Sequence, residues 1–226
     1  MIPKERQRLR RLHAFERAAW ESGARFVCGI DEVGRGPLAG PVVACAVVID
    51  KPLRLQFLND SKQVTELRRA DLDGAIRTQA VCVALGWVDP AEIDRINILA
   101  ATKLAMNRAL AGLAQAPCRV FVDALKIPGC PYPQEAIIGG DRKSAAIAAA
   151  SIVAKVARDA HMAAMEALYP GYGFAEHKGY STAAHFAALD LLGPSPIHRR
   201  SFMPVIAPRL KFMTEMALTA PLEPVT

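Results

Sequence analysis

Residues 25–49 read RFVCGIDEVGRGPLAGPVVACAVVI. Two apolar, β-branched runs, 25–31 (RFVCGID) and 40–49 (GPVVACAVVI), flank a glycine-rich turn. This pattern predicts two buried strands joined by that turn. Working outward, residues 64–79 (VTELRRADLDGAIRTQ) predict a helix and 80–88 (AVCVALGWV) a third strand. A long helical pattern runs from Pro90 to about Gln115, with Pro90 suited to its first turn. Short strands are expected at 119–123 (RVFVD) and 135–138 (EAII). An alanine-rich helix over 143–168 is stopped by Tyr169-Pro170-Gly171, and a further helix fits 181–192. Proline is then frequent from Pro194 to Pro224, which predicts an irregular or loosely helical tail. Three strands followed by helix, strand, strand and helix indicate an α/β architecture: a mixed sheet with helices against it.

The composition of the 226 residues, 52% hydrophobic and 22% charged, is that of a globular chain and excludes disorder as the main state. No window approaches 18 uninterrupted apolar residues, so no membrane span is expected. The net charge of +6 and a pI near 9.2 favour polyanionic partners. The five cysteines form no C-x-x-C pair, and Cys28, Cys45 and Cys82 sit in apolar runs. They read as buried free thiols in a reducing cytoplasm. The basic start, with Leu9, Leu12, Phe15 and Ala19 at helical spacing, reads as a surface helix rather than a targeting segment. The expected division is a basic extension at 1–24, a main α/β domain at 25–193, and a C-terminal segment at 194–226.

Acids at the ends of apolar elements are the informative feature. Asp31 and Glu32 close the first strand, Asp123 closes RVFV, and Asp141 precedes the alanine-rich helix. Any one of them suits a turn or a helix cap. Together they fall where ligand sites gather, at the ends of elements packed in one sheet. Four neighbouring carboxylates repel one another unless cations lie between them, and hard oxygen donors select Mg²⁺ or Mn²⁺. Two such ions about 4 Å apart suit an in-line phosphoryl displacement.

On a helix, Asp141, Ser144, Ala148, Ser151, Lys155 and Asp159 fall on one stripe, so a polar seam could lead away from the acids, or could face solvent. The turn Gly34-Arg35-Gly36 could expose its backbone to a ligand. Asn59-Asp60-Ser61-Lys62 reads first as a capping turn, with Ser61 and Lys62 as phosphate candidates.

Six strings, in this order, resemble bacterial ribonuclease HII: GIDEVGRGPLAGPVVACAVV, LNDSKQV, FVDALKIPG, GGDRKSAAIAAASIVAKVARD, YPGYGFAEHKGYSTAAH and HRRSF. The resemblance covers roughly residues 25–203. It implies an RNase H-like fold, with a central mixed five-stranded sheet flanked by helices and a small helical C-terminal portion. It implies cleavage of the RNA strand of RNA–DNA hybrids. It further implies incision 5′ to a single ribonucleotide in duplex DNA, leaving 3′-hydroxyl and 5′-phosphate ends. The family's four acids correspond to Asp31, Glu32, Asp123 and Asp141, which would hold two Mg²⁺ or Mn²⁺ ions.

Gly34, Arg35 and Gly36 are similar to the family's loop that reads the 2′-hydroxyl, and Tyr180 to the tyrosine that stacks on the sugar beside it. Ser61 and Lys62, and more weakly Lys143, Ser144, Lys155 and Arg158, would meet phosphates. His161, His177, His185 and His198 are expected to be structural. Ser181 stands where the family often has glycine. A cytoplasmic monomer is expected, with nucleic acid as its partner. Two competing readings are a ribonuclease HIII-like nuclease with another substrate preference and a hybrid-binding module without catalysis; the four acids disfavour the second.

Overall fold

The computed structural model describes residues 3–203 and 205. Five strands, β1 (Val27–Val33), β2 (Val42–Ile49), β3 (Cys82–Val88), β4 (Arg119–Asp123) and β5 (Gln134–Ile137), form one sheet in the order β3-β2-β1-β4-β5. β1, β2 and β3 pair antiparallel; β1 with β4 and β4 with β5 pair parallel. This is the expected mixed five-stranded sheet.

The helices are α1 (Pro3–Leu12), α2 (Ala14–Glu21), α3 (Glu66–Gln79), α4 (Pro90–Ile96), α5 (Ile98–Ala111), α6 (Ala145–Leu168), α7 (Phe174–His177) and α8 (Ala183–Leu192). Every residue of β2 is buried. Its Cys45, Val47 and Ile49 pack with α6 and α3, while Val42, Ala44, Ala46 and Val48 pack with α5. Helices cover both faces, which is why the strand reads as one unbroken apolar run.

The small residues of α6 have a geometric cause. A Cβ on Gly29 of β1 would stand 2.1 Å from the Ala146 carbonyl carbon and 2.3 Å from the Ile147 nitrogen. The helix backbone therefore rests directly on β1, two residues before Asp31.

Several expectations are corrected. The pattern from Pro90 to Gln115 is two helices, broken at Asn97, whose φ is +68°. The Asn97 side chain accepts the N–H groups of Leu99 and Ala100, so a cap restarts the helix without glycine or proline. The N-terminal segment is also two helices, and it is docked rather than solvated. Leu9 and Leu12 join the core beneath β2, and Ala19 packs with Val27 and Phe121. His13, at the break, bonds the Leu9 carbonyl through Nδ1 and accepts the Leu53 N–H at Nε2. Cys28 and Cys45 are buried as expected, but Cys82 is only partly so; all five cysteines are free. The short α7 was not expected, and the proline-rich tail from 206 onward lies outside the described residues. Among those residues no helix is long and apolar enough to cross a membrane.

Candidate active site

The parallel register of β1 and β4 pairs Ile30 with Val122, which brings Asp31 and Asp123, the next residues, to adjacent strand ends. Strand alternation points both toward α6, and the seat of α6 on Gly29 brings the 3₁₀ turn Gly140–Arg142, with Asp141, to the same place. Glu32 is turned away by alternation, yet at the end of its strand it still lines the same cleft. That cleft, of about 530 Å³, is lined by Asp31, Glu32, Asp123 and Asp141 and by Gly34, Arg35, Gly36, Ser61, Lys62 and Tyr180. Ser151, Lys155 and Ile98 complete its walls.

The acids are tethered individually. Asp31 Oδ1 accepts the Glu32 N–H at 2.8 Å, and Asp123 Oδ1 accepts the Gly140 N–H at 2.7 Å, tying the Asp141 turn to β4. Glu32 Oε1 accepts from Arg35 Nη1 at 3.2 Å, while its Oε2 is buried with no hydrogen-bond partner. Burial, then the Glu32 and Asp123 charges, push the Asp31 carboxyl well above the usual carboxylate range. Burial raises Glu32, and burial with the Asp60 and Asp123 charges raises Asp141.

Among the described residues, no three Asp, Glu, His or Cys side chains enclose a single point. The carboxylates instead line a shared wall. That suits Mg²⁺-type centres, which take one or two carboxylates each and complete their shell with water and phosphate oxygen. The donor set is all oxygen, one donor is buried and unpaired, and charge repulsion within the cleft awaits a cation. On each count these residues fit hard divalent ions.

The loop that follows β1 is trussed from below. Gly34 has φ +90°, and a Cβ there would meet the Pro41 carbonyl at 2.7 Å, so the turn requires glycine. Arg199 is fully buried and donates to the carbonyls of Gly34, Arg35 and Gly40. Burial pulls its pKa down to about 9, which leaves it charged at neutral pH. Arg158, also fully buried, donates to the carbonyls of Ala39, Pro41 and Lys178. The Leu38 N–H donates to the Gly179 carbonyl at 2.8 Å. The glycine loop and the loop carrying Tyr180 are thus one braced unit. Tyr180 itself is exposed, with Lys155 Nζ 5.6 Å and the Arg158 guanidinium 5.7 Å from its ring centre.

The polar seam of α6 is real but largely satisfied within the protein. Ser151 Oγ donates to Ser61 Oγ at 2.9 Å, and Lys155 pairs with Asp159 at 2.7 Å. Three expected phosphate contacts do not line the cleft. Ser144 is fully buried; its side chain caps α6, accepting the Ile147 N–H and donating to Glu16 Oε1. Lys143 is exposed but lines a neighbouring groove and reaches the Ile138 carbonyl. Arg158, expected to meet phosphate, is spent on backbone carbonyls.

Sequence reasoning missed Glu16 and Arg199. Glu16, completely buried on α2, also accepts the Ala146 N–H, so the N-terminal segment caps the helix that follows Asp141. A signal existed: Glu16 lies four residues after Leu12, on the buried face. His185 and His198 serve the structure, as expected. The Ser195 N–H donates to His198 Nδ1, so His198 Nε2 donates to His185 Nε2 and His185 Nδ1 to the Tyr180 carbonyl.

Comparison with known proteins places this geometry. The family model for Ribonuclease HII matches residues 28–205. A Ribonuclease HII of Desulfitobacterium hafniense (strain Y51) is 52% identical over 201 residues, covering 89% of this chain and 77% of that protein. The crystal structure of ribonuclease H2 from Pyrococcus horikoshii OT3 superposes with a TM-score of 0.72 at 26% identity, covering 83% of this chain and 99% of that one. The fold is shared with Bst-RNase HIII in complex with Mn²⁺, with a TM-score of 0.67 at 19% identity over 88% of this chain and 73% of that one.

Proposed function

The chain belongs to the ribonuclease HII family of RNase H-type endonucleases, and on that footing we propose that it cuts beside ribonucleotides, down to a single one embedded in duplex DNA. The RNA strand of RNA–DNA hybrids is the broader substrate. Cleavage 5′ to the ribonucleotide would leave 3′-hydroxyl and 5′-phosphate ends.

Asp31, Glu32, Asp123 and Asp141 would hold two Mg²⁺ or Mn²⁺ ions. When bound, such ions supply an activated water and charge stabilisation for the departing 3′-oxygen. The oxygen-only donor set and the unpaired Glu32 Oε2 support this reading, as does the Mn²⁺ in the Bst-RNase HIII structure.

The chain's own residues orient the substrate. Arg199 occupies the Gly34 and Arg35 carbonyls, so the loop's N–H groups and the Gly36 carbonyl are left for a ligand. A 2′-hydroxyl can accept from such donors, and it is what distinguishes RNA from DNA. Tyr180 offers a ring for the sugar beside that loop, held by the braced 178–180 turn. Lys62 and Lys155 bring positive charge to the phosphates, with Ser61 beside them.

The observation that carries the proposal is the meeting of the four acids, the Gly34–Gly36 loop and Tyr180 in one cleft. The test is a DNA duplex with one embedded ribonucleotide, incubated with Mg²⁺ or Mn²⁺ and with an EDTA control. Cutting on the 5′ side, lost in EDTA, is expected. Cutting only of longer RNA tracts, or retention without cutting, would overturn the single-ribonucleotide reading.

A further inference from the structure

A second groove, of about 420 Å³, lies beside the catalytic cleft and is lined by Arg8, Arg11, Asn59, Arg142 and Lys143 together with apolar residues of α1 and α2. No acid lines it. The two sites share two walls. Asn59 faces the groove while Ser61 and Lys62, two and three residues on, face the cleft. Asp141 faces the cleft while Arg142 and Lys143 face the groove.

The outer wall is the N-terminal helix, and it is held rigidly. Leu9 and Leu12 are buried in the core. Arg8 Nη1 donates to the Leu58 carbonyl at 2.8 Å, and the Phe57 N–H donates to Glu5 Oε1 at 2.9 Å. The helix is thereby fastened to the stretch that leads into Asn59–Lys62. Of the three acids of α1 and α2, Glu5 pairs with Arg8, Glu16 is buried against α6, and Glu21 lies outside the lining of the groove. Arg11, Arg142 and Lys143 stay exposed. Residues 1–25 hold seven Lys and Arg against three Glu, so most of the chain's net positive charge is concentrated there.

We infer that this groove is a second binding site for the sugar–phosphate backbone of the duplex, continuing the track past Asp141. The inference rests on the nucleic-acid reading above and extends it to α1, which lies outside residues 28–205. A fixed, one-signed groove against a polyanion needs little reorganisation, and its cations gain by releasing condensed counterions. The flat guanidinium of Arg11 and the point charge of Lys143 contact phosphate without reading base sequence. The groove therefore contributes affinity and register, and leaves recognition of the ribose to the cleft.

The experiment measures duplex binding by fluorescence anisotropy across a salt series, in Ca²⁺ or EDTA so that cutting does not interfere. Wild type is compared with Arg11→Ala, Arg11→Glu and Arg11→Ala/Lys143→Ala. Arg11 is exposed and Lys143 makes only one backbone contact, so circular dichroism and melting should match wild type. Each lost phosphate contact should reduce the slope of log affinity against log salt by about 0.9. At moderate salt, affinity should fall severalfold for Arg11→Ala and further for Arg11→Glu and the double variant. In turnover, KM should rise while kcat at saturation changes less than about twofold. Salt slopes and KM equal to wild type would overturn the groove, even with cutting intact. Duplex binding that weakens in the variants while wild type cuts nothing would uphold the groove and sink the catalytic reading instead.

Discussion

Arg199 Nη2 donates to the Gly34 carbonyl at 2.5 Å, joining two positions 165 residues apart. A buried guanidinium far along the chain thus sets the shape of the loop that follows Asp31 and Glu32. Its fork reaches three carbonyls, of Gly34, Arg35 and Gly40, a task one ammonium cannot share.

Arg199→Lys should therefore cost roughly 2–3 kcal/mol of stability, by urea unfolding, because carbonyls are left buried without donors. At a temperature where both proteins are folded, cutting at a single ribonucleotide should fall by about tenfold or more, since small misplacements of a recognition loop cost that much. A variant with native stability and native rate would show that the loop holds its shape unaided.

Glu16→Ala should destabilise by about 2 kcal/mol, as it removes the acceptor for Ser144 Oγ and the Ala146 N–H at the start of α6. Glu16→Gln keeps an acceptor oxygen and removes a carboxylate that burial already disfavours. It should stay within about 1 kcal/mol of wild type. An Ala variant as stable as wild type would return the N-terminal helices to the status of an appendage.

Tyr180→Ala should lower the rate at single ribonucleotides more than it lowers duplex affinity, with Tyr180→Phe retaining most of both. The ring is 38% exposed, so unfolding should move by less than about 1 kcal/mol. Equal loss of rate and binding would instead assign the ring a general packing role.

Acid should loosen the C-terminal bracing. His198 is held down to about 4 by burial and by the neighbouring His185, and His185 is lowered by burial as well. Their unfolded values lie near 6.5. Between about pH 6.5 and 4 the unfolded chain binds more protons than the folded one, so stability falls as pH falls through that window. The buried carboxyls, shifted upward, act in the opposite sense, so the histidine contribution must be isolated by difference. Melting at pH 7 and pH 5 should show a smaller acid-induced drop in His198→Gln than in wild type. Identical drops would place the acid sensitivity elsewhere.

The sheet and the positions of the four acids were legible because apolar strands broadcast themselves, and their apolar runs stop at Asp31-Glu32, just before the end of β1, and at Asp123. The parallel neighbourhood of β1 and β4 then needs only the strand order. Other features were hidden for physical reasons. The break at Asn97 lies within a continuous helical pattern and depends on one side chain folding back to cap. Glu16 and Ser144 are ordinary polar residues until tertiary packing encloses them. Arg199 sits in a polar, basic string, HRRSF, and looks solvated; only carbonyls far away in sequence make it structural. The basic start could be read for charge, but not for the groove it forms with Arg142 and Lys143.

The central claim is that the carboxylates of the cleft serve divalent cations. It is tested most directly by calorimetric titration of Mn²⁺ into the wild-type protein and into Asp31→Asn, with folding of both checked by circular dichroism. Wild type should bind Mn²⁺ saturably, and the folded Asp31→Asn protein should bind at least about tenfold more weakly. Mn²⁺ binding of equal affinity in both proteins would contradict the account.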